Sequence, residues 1–136
     1  MSILLQVTAA EINNGVQKAN TEIDGKVPKP GFNTQTGTSY TPQLTDNNGV
    51  IEMDSAELNT VNLPTDAEVA FPVPSEGILR TSFDVVPIGA GTTAIQAPAG
   101  VLLNGIDGGT ILSLDPYAAM AVYKRGENDW VAIGGE

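Results

Sequence analysis

Residues 89–94 (GAGTTA) match G-x-G-x-x-A, the glycine-rich pattern of dinucleotide-binding loops. In such proteins the loop opens a helix, whose N-terminus holds the pyrophosphate. Here the β-branched residues of 92–96 lead directly to Pro98, which predicts a strand and no helix. We therefore interpret this stretch as a turn between strands and expect no cofactor.

A group of oxygen-bearing side chains surrounds Gly49. Asp46, Asn48, Glu52 and Asp54 are residue types that Ca²⁺ accepts as ligands. The spacing differs from that of an EF-hand, since the glycine comes too early and the distant glutamate is absent. We interpret the group as a plain turn with solvated acids, and residues 107–109 (DGG) as another turn, and we expect no metal site.

The residue types needed for catalysis are scarce. The chain has no histidine, the commonest general base, and no cysteine. A serine or threonine nucleophile would then depend on an amine base, but Lys18, Lys26 and Lys29 lie in a predicted helix and linker. Carboxylate pairs can cleave glycosides, yet no acid adjoins an aromatic platform for sugar stacking. We predict no catalytic residues; a small hydrolase stays as a third class, to be tested by cleavage of host polysaccharide.

The charge is concentrated after residue 30. The formal net charge is −10, from 16 acidic and 6 basic residues. The charges of residues 1–30 sum to zero. The remaining acids lie after residue 30, where the basic residues are Arg80, Lys124 and Arg125. Such a surface repels nucleic acid and anionic membranes, so neither is an expected partner. The acidity serves either solubility or contact with a basic partner surface.

Short β-type runs separated by turn residues fill the chain from residue 39 onward. With 15 glycines and 9 prolines and no helical period between the runs, they predict an all-β fold with a β-sandwich or jelly-roll-like body. The last two runs form a hairpin with Trp130 as a core anchor. The predicted strands are 39–44, 49–53, 58–63, 68–73, 78–86, 92–96, 101–103, 111–114, 117–125 and 130–133.

The first 30 residues predict a short helix and an attachment or trimerisation arm. Thr8 and Glu11 form a capping-box pattern, and an apolar stripe follows at helical spacing. The stripe is buried either on the β body or against copies of itself. Residues 31–38 are interpreted as a Pro/Gly linker, and residues 39–136 as the β-sandwich domain. The candidate interface residues are the apolar tip Ile3, Leu4 and Leu5 and the stripe Ile12, Val16, Ala19 and Ile23.

The N-terminus carries no basic segment of a secretory signal, and no apolar run is long enough to span a bilayer. We therefore expect a soluble protein made in a cytoplasm, without membrane insertion.

Three stretches, in this order, resemble a small β module of tailed-bacteriophage virion proteins. The first is residues 46–53 (DNNGVIEM) with 60–64 (TVNLP), and the second is residues 86–95 (VPIGAGTTAI). The third is residues 117–123 (YAAMAVY) with 129–134 (DWVAIG). Together they span about residues 40–136, and the first 30 residues resemble the stem helix of fibre-type proteins.

The resemblance implies a β-sandwich head, a homotrimer and a place in the virion, with no cofactor and no catalytic residues. It leaves two functions open. A capsid decoration or cement protein, whose trimers clamp shell subunits, suits a short chain with little binding apparatus. A short tail fibre or receptor-binding protein, which recognises the host surface, suits the stem-like N-terminus.

Overall fold

The computed structural model describes residues 31–73 and 81–135. They belong to one compact unit that begins at Gly31, and their regular structure is almost entirely β-strand. The predicted all-β, sandwich-like class is therefore confirmed. The predicted N-terminal helix lies outside the described residues, as do the candidate interface residues Ile3, Leu4, Leu5, Ile12, Val16, Ala19 and Ile23.

Short strands follow one another through the described part of the chain. In the described residues no helix is long and apolar enough to cross a membrane. A 3₁₀-helix at Leu44–Asp46 separates the second and third strands. The strands are β1 (Phe32–Gln35), β2 (Ser39–Tyr40), β3 (Val50–Met53), β4 (Asn59–Asn62), β5 (Ser82–Pro87), β6 (Thr93–Gln96), β7 (Leu102–Leu103), β8 (Ile106–Asp107), β9 (Thr110–Ser113), β10 (Met120–Gly126) and β11 (Asp129–Gly134).

The first six strands alternate between two sheets. One sheet has seven strands in the order β1-β3-β5-β10-β11-β7-β8, and the other has four in the order β2-β4-β6-β9. β1, β3 and β5 are parallel neighbours, and so are β2, β4 and β6. Parallel neighbours need a crossover connection, and here that crossover is a strand of the opposite sheet. The chain thus coils three times before β9 and β10 add antiparallel strands.

The core contains residues from both sheets and one aromatic cluster. Trp130 is fully buried, as predicted, and Phe71 meets its ring edge-on with centroids 5.4 Å apart. Phe83 lies 5.8 Å from the same ring. Aromatic groups of this size contribute strongly to core stability. Around them pack aliphatic side chains that include Ile51, Met53, Val61, Val85, Ile95, Val101, Leu103 and Val122.

The predicted C-terminal hairpin is present. β10 and β11 are antiparallel, with Tyr123 opposite Val131, and a register shift lies next to the turn. Met120, Val122 and Lys124 alternate inward along β10. Tyr117, which was predicted to begin this strand, has a positive φ of 65° and precedes it. A bulky residue in that conformation breaks the extended backbone, so the strand begins three residues later.

Other boundaries also differ from the prediction: the strand predicted at 39–44 ends at Tyr40, and β8 was not predicted. Residues 31–38 are not a linker throughout, because they contain β1, whose inward Asn33 side chain donates hydrogen bonds to Tyr40 and Asp46. Because the inward residues of β1 are polar, the strand lacks the alternation of apolar and polar residues by which strands are predicted. Residues 68–73 form no strand, because Thr65 and Glu68 close a turn through mutual hydrogen bonds.

Candidate functional site

The carboxylate of Asp46 accepts several hydrogen bonds in a buried cluster. Its Oδ1 accepts from Asn33 Nδ2 at 2.8 Å, and its Oδ2 accepts from the Tyr40 hydroxyl at 2.6 Å and from the Gln43 backbone N–H at 2.8 Å. Only 4% of Asp46 is exposed. The interpretation as a solvated acid is therefore wrong for Asp46, because its carboxylate joins β1, β2 and the 3₁₀-helix.

The other oxygen-bearing residues of that stretch point elsewhere. Glu52 lies on the outer face of β3, where its Oε1 accepts a hydrogen bond from Thr34 at 2.7 Å. Asn48 occupies the turn with φ 64°, and Asp54 is exposed beyond the end of β3. Within residues 31–73 and 81–135, no three His, Cys, Asp or Glu side chains are grouped to hold a metal ion. This stretch is a structural turn.

Tyr40 is the titratable group most affected by this cluster. Burial of its side chain, together with the hydrogen bond to Asp46 and the negative charge of Asp46, raises the pKa of Tyr40 well above its usual value of 10.0. The amide of Asn33 opposes the shift by donating to the hydroxyl oxygen. The protonated phenol is therefore part of the folded structure over the physiological pH range.

The glycine-rich stretch 89–91 packs a loop against its neighbour. A Cβ atom at Gly89 would overlap the backbone of Ser55, and one at Gly91 would overlap the carbonyl of Glu57. The Gly91 N–H donates to the Ser55 carbonyl at 2.8 Å. Strand β6 follows this loop, as the sequence predicts, and the glycines permit close backbone approach.

The turn predicted at residues 107–109 begins one residue later, at Gly108, because Asp107 is the last residue of β8. Asp107 Oδ1 accepts a hydrogen bond from the backbone N–H of Gly100 at 2.8 Å, and Gly108 has a φ of +66°. The carboxylate thus links the end of β8 to the loop that contains Gly100.

The buried cation Lys124 was missed by sequence reasoning. Its residue is 0% exposed, and its Nζ donates to Asp66 Oδ1 at 2.6 Å and to the Phe71 carbonyl at 2.8 Å. Nζ also lies 5.9 Å from the centroid of the Trp130 ring. Asp66 and Asn128 add reciprocal hydrogen bonds between backbone N–H groups and side-chain oxygens. This network holds residues 66–71 against β10 and the hairpin turn.

A signal for Lys124 is present in the sequence. Its position in the inward alternation of Met120 and Val122 predicts an inward side chain. Its acceptors come from a loop, and no periodic pattern marks a loop residue as a partner.

A small cavity of about 260 Å³ opens beside the ends of β4 and β6. The polar side chains Thr41, Asn62, Glu68 and Gln96 line it, together with the apolar Leu63, Ala97 and Pro98. The amides supply donors and acceptors, and Glu68 supplies a carboxylate. The lining therefore offers both polar and apolar contacts.

Apolar side chains also project into solvent. Among the described residues, large exposed apolar side chains occur on both sheets and in the connecting loops. Apolar side chains that are exposed singly are ordinary on a folded protein, whereas neighbouring ones such as Leu112 and Leu114 form a candidate contact patch. The large exposed apolar residues are Phe32, Leu44, Leu58, Val73, Leu102, Ile106, Leu112, Leu114, Tyr117 and Ile133.

Comparison of the chain with protein-family models, with curated proteins and with solved structures finds no match.

Proposed function

We propose that this chain is a non-enzymatic structural protein of a tailed-bacteriophage virion. Its most favoured role is that of a trimeric capsid decoration or cement protein that docks on the shell. The observation that carries this proposal is the group of exposed leucines, Leu58, Leu112 and Leu114, at one end of the four-stranded sheet of an all-β body. Such a surface is suited to association with protein. The chain would be made in the host cytoplasm and reside in the virion.

The sequence stretches that resemble the phage module supply the second support. Their most distinctive residues have structural roles: Asp46 joins three elements, Gly89 and Gly91 allow two loops to touch, and Trp130 fills the core. Residues with such roles determine loop geometry and core packing, which agrees with a protein that functions by docking.

The acidic charge supports a protein partner on the shell. Of the three basic residues after residue 30, Lys124 is buried against Asp66, and Arg125 lies 3.5 Å from Asp129. The surface charge is therefore strongly negative, which disfavours packaged nucleic acid as the binding partner. No cofactor is part of this proposal.

The cavity beside β4 and β6 favours a second candidate function. A tail fibre or receptor-binding protein would hold a host surface glycan there, with Asn62 and Gln96 as hydrogen-bonding amides and Glu68 as an acceptor. Glycan-array binding by the wild-type chain, lost in Gln96→Ala, would favour this function. Retention of every glycan signal in Gln96→Ala would count against the cavity as the site.

Gold-labelled antibody on intact phage particles tests the location. Label at regular positions over the head supports decoration, and label at the tail supports host recognition. An absence of label from every phage particle examined, in a lysate that contains the protein, would overturn the virion proposal. Comparing the heat stability of capsids with and without the chain then tests the cement role.

A further inference from the structure

The strand residues on the outer face of the four-stranded sheet carry no charge, and the carboxylate of Glu68 lies at its edge, where it lines the cavity with Asn62 and Gln96. Side chains alternate across a sheet, and the inward set here includes the buried Val61 and Ile95. The register aligns Thr60 with Ala94 and Leu112, and Asn62 with Gln96 and Thr110. Ser39 joins the same face through a 2.9 Å hydrogen bond from Asn62. Of the outward residues of β4, β6 and β9, Ala94 is only 6% exposed, and the others are Thr60, Asn62, Gln96, Thr110 and Leu112.

The outer face of the seven-stranded sheet is different. Glu52 on β3 and Asp84 on β5 project from it, and Arg125 and Asp129 form an ion pair on the hairpin. The two faces of one strongly acidic body therefore differ in charge. The neutral face is a property of the folded sheet, since acidic residues occur in the loops on either side of its strands.

Exposed leucines lie along one end of the neutral face. Leu112 on β9 is 48% exposed. Leu58 immediately precedes Asn59, and Leu114 immediately follows Ser113; Asn59 and Ser113 both pair with Thr93 of β6. Leu58 and Leu114 therefore lie at the same end of the sheet, and they are 65% and 56% exposed. In the described part of the chain, β9 pairs with β6 and with no other strand.

The net charge of the chain bears on which partner this face binds, and a second copy of the chain fits it. Two copies of a chain with a net charge of −10 repel each other wherever acidic surfaces meet. The uncharged face lets copies approach without desolvating like charges, and its leucines supply apolar contact. We propose that this neutral face is the surface through which copies of the chain associate. The inference rests on the homo-oligomer of the proposed function and assigns its contact surface.

The size of the face sets the strength of the contact. Three four-residue strands and the two-residue β2, about 4.8 Å apart, cover roughly 220 Å². Stable protein pairs bury about 800 Å² per partner, so this contact is about a quarter of that size. Association is therefore expected to depend on protein concentration and to respond strongly to a single charge placed in the face.

Light scattering of the full chain over a concentration series tests the proposal with a matched pair of variants. Leu112→Asp places a charge in the neutral face, whereas Ile133→Asp places one at a 57% exposed position on β11 of the other sheet. We expect Leu112→Asp to weaken association by at least about tenfold and Ile133→Asp to leave it within about twofold. Circular dichroism establishes that both variants fold.

Thiol cross-linking gives a second measurement, since the chain has no native cysteine. Thr110→Cys lies on edge strand β9, and Thr34→Cys lies at a comparable exposed position on edge strand β1. A short bis-maleimide reagent should give covalent dimers with Thr110→Cys and far fewer with Thr34→Cys.

The outcomes separate this inference from the proposed function. A wild-type chain that stays monomeric overturns the self-association surface but leaves the virion location to the gold-label experiment. An oligomer that Leu112→Asp leaves intact, or equal cross-linking at both thiols, overturns the assignment of the face while the oligomer itself stands. Label away from virions with a Leu112-dependent oligomer would overturn the virion role alone.

Discussion

At the scale of single residues, Asp46 makes a direct stability prediction. Asp46→Ala leaves the Tyr40 hydroxyl, the Asn33 amide and the Gln43 N–H without their acceptor in a largely buried place. We expect a loss of about 2–4 kcal/mol in the free energy of unfolding, measured by urea titration. Asp54→Ala is the control, because that acid is exposed, and it should change stability by less than about 0.5 kcal/mol. Equal losses would contradict the assigned role of Asp46.

Tyr40 predicts how stability changes at alkaline pH. Its pKa is raised in the folded state, by burial first and by Asp46 second, so the unfolded chain releases the phenol proton before the folded chain does. Unfolding is then coupled to proton release, and stability that is present below about pH 10 falls as the pH rises further. Urea titrations of the wild type and Tyr40→Phe should show a difference in the free energy of unfolding that becomes smaller above about pH 10. A constant difference up to the alkaline limit of folding would contradict this linkage.

At the scale of elements, β10 carries a buried and an exposed cation side by side. Lys124 is buried among Asp66, Phe71 and Trp130, whereas the Arg125 side chain is 66% exposed beside Asp129. Lys124→Met keeps apolar volume but removes the donor to Asp66 Oδ1 and to the Phe71 carbonyl. We expect this substitution to lower the free energy of unfolding, measured by urea titration, by about 3 kcal/mol. Arg125→Met should lower it by less than about 1 kcal/mol.

Amide hydrogen exchange gives the local measurement for the same pair. Lys124→Met should speed exchange in the segment around residues 66–71, which the network holds against β10. Arg125→Met should leave that segment unchanged. Similar effects of the two variants on stability and exchange would show that burial of Lys124 does not hold the segment.

The sequence predicts those elements whose signals are local. The hairpin of β10 and β11 has alternating residues, a turn and Trp130, all within one short stretch. β1 was missed because its inward residues, Asn33 and Gln35, are polar and gain their role from partners in other elements. The order of parallel strands depends on which distant segments meet, and a hydrophobic period contains no such information.

The candidate sites follow the same distinction. The turn at Gly108 and the loop at 89–91 were predicted, since glycine marks tight backbone geometry locally. Burial of Asp46 and the pairing of Lys124 with Asp66 depend on tertiary contacts. The neutral face is likewise invisible in sequence, because its residues come from separate strands and become neighbours only through the register.

At the scale of the whole molecule, the net charge predicts that salt strengthens association between copies and weakens binding to a basic partner. Copies that meet through a neutral face still carry −10 each, so raising salt screens their repulsion and should strengthen association. Docking on a basic partner surface would instead weaken, since salt screens attraction. Light scattering between about 0.02 M and 0.5 M NaCl should show a larger associated fraction at the higher salt. Leu112→Asp should remain dissociated across most of this range, and a wild-type oligomer that dissociates with salt would mean that opposite charges hold it together.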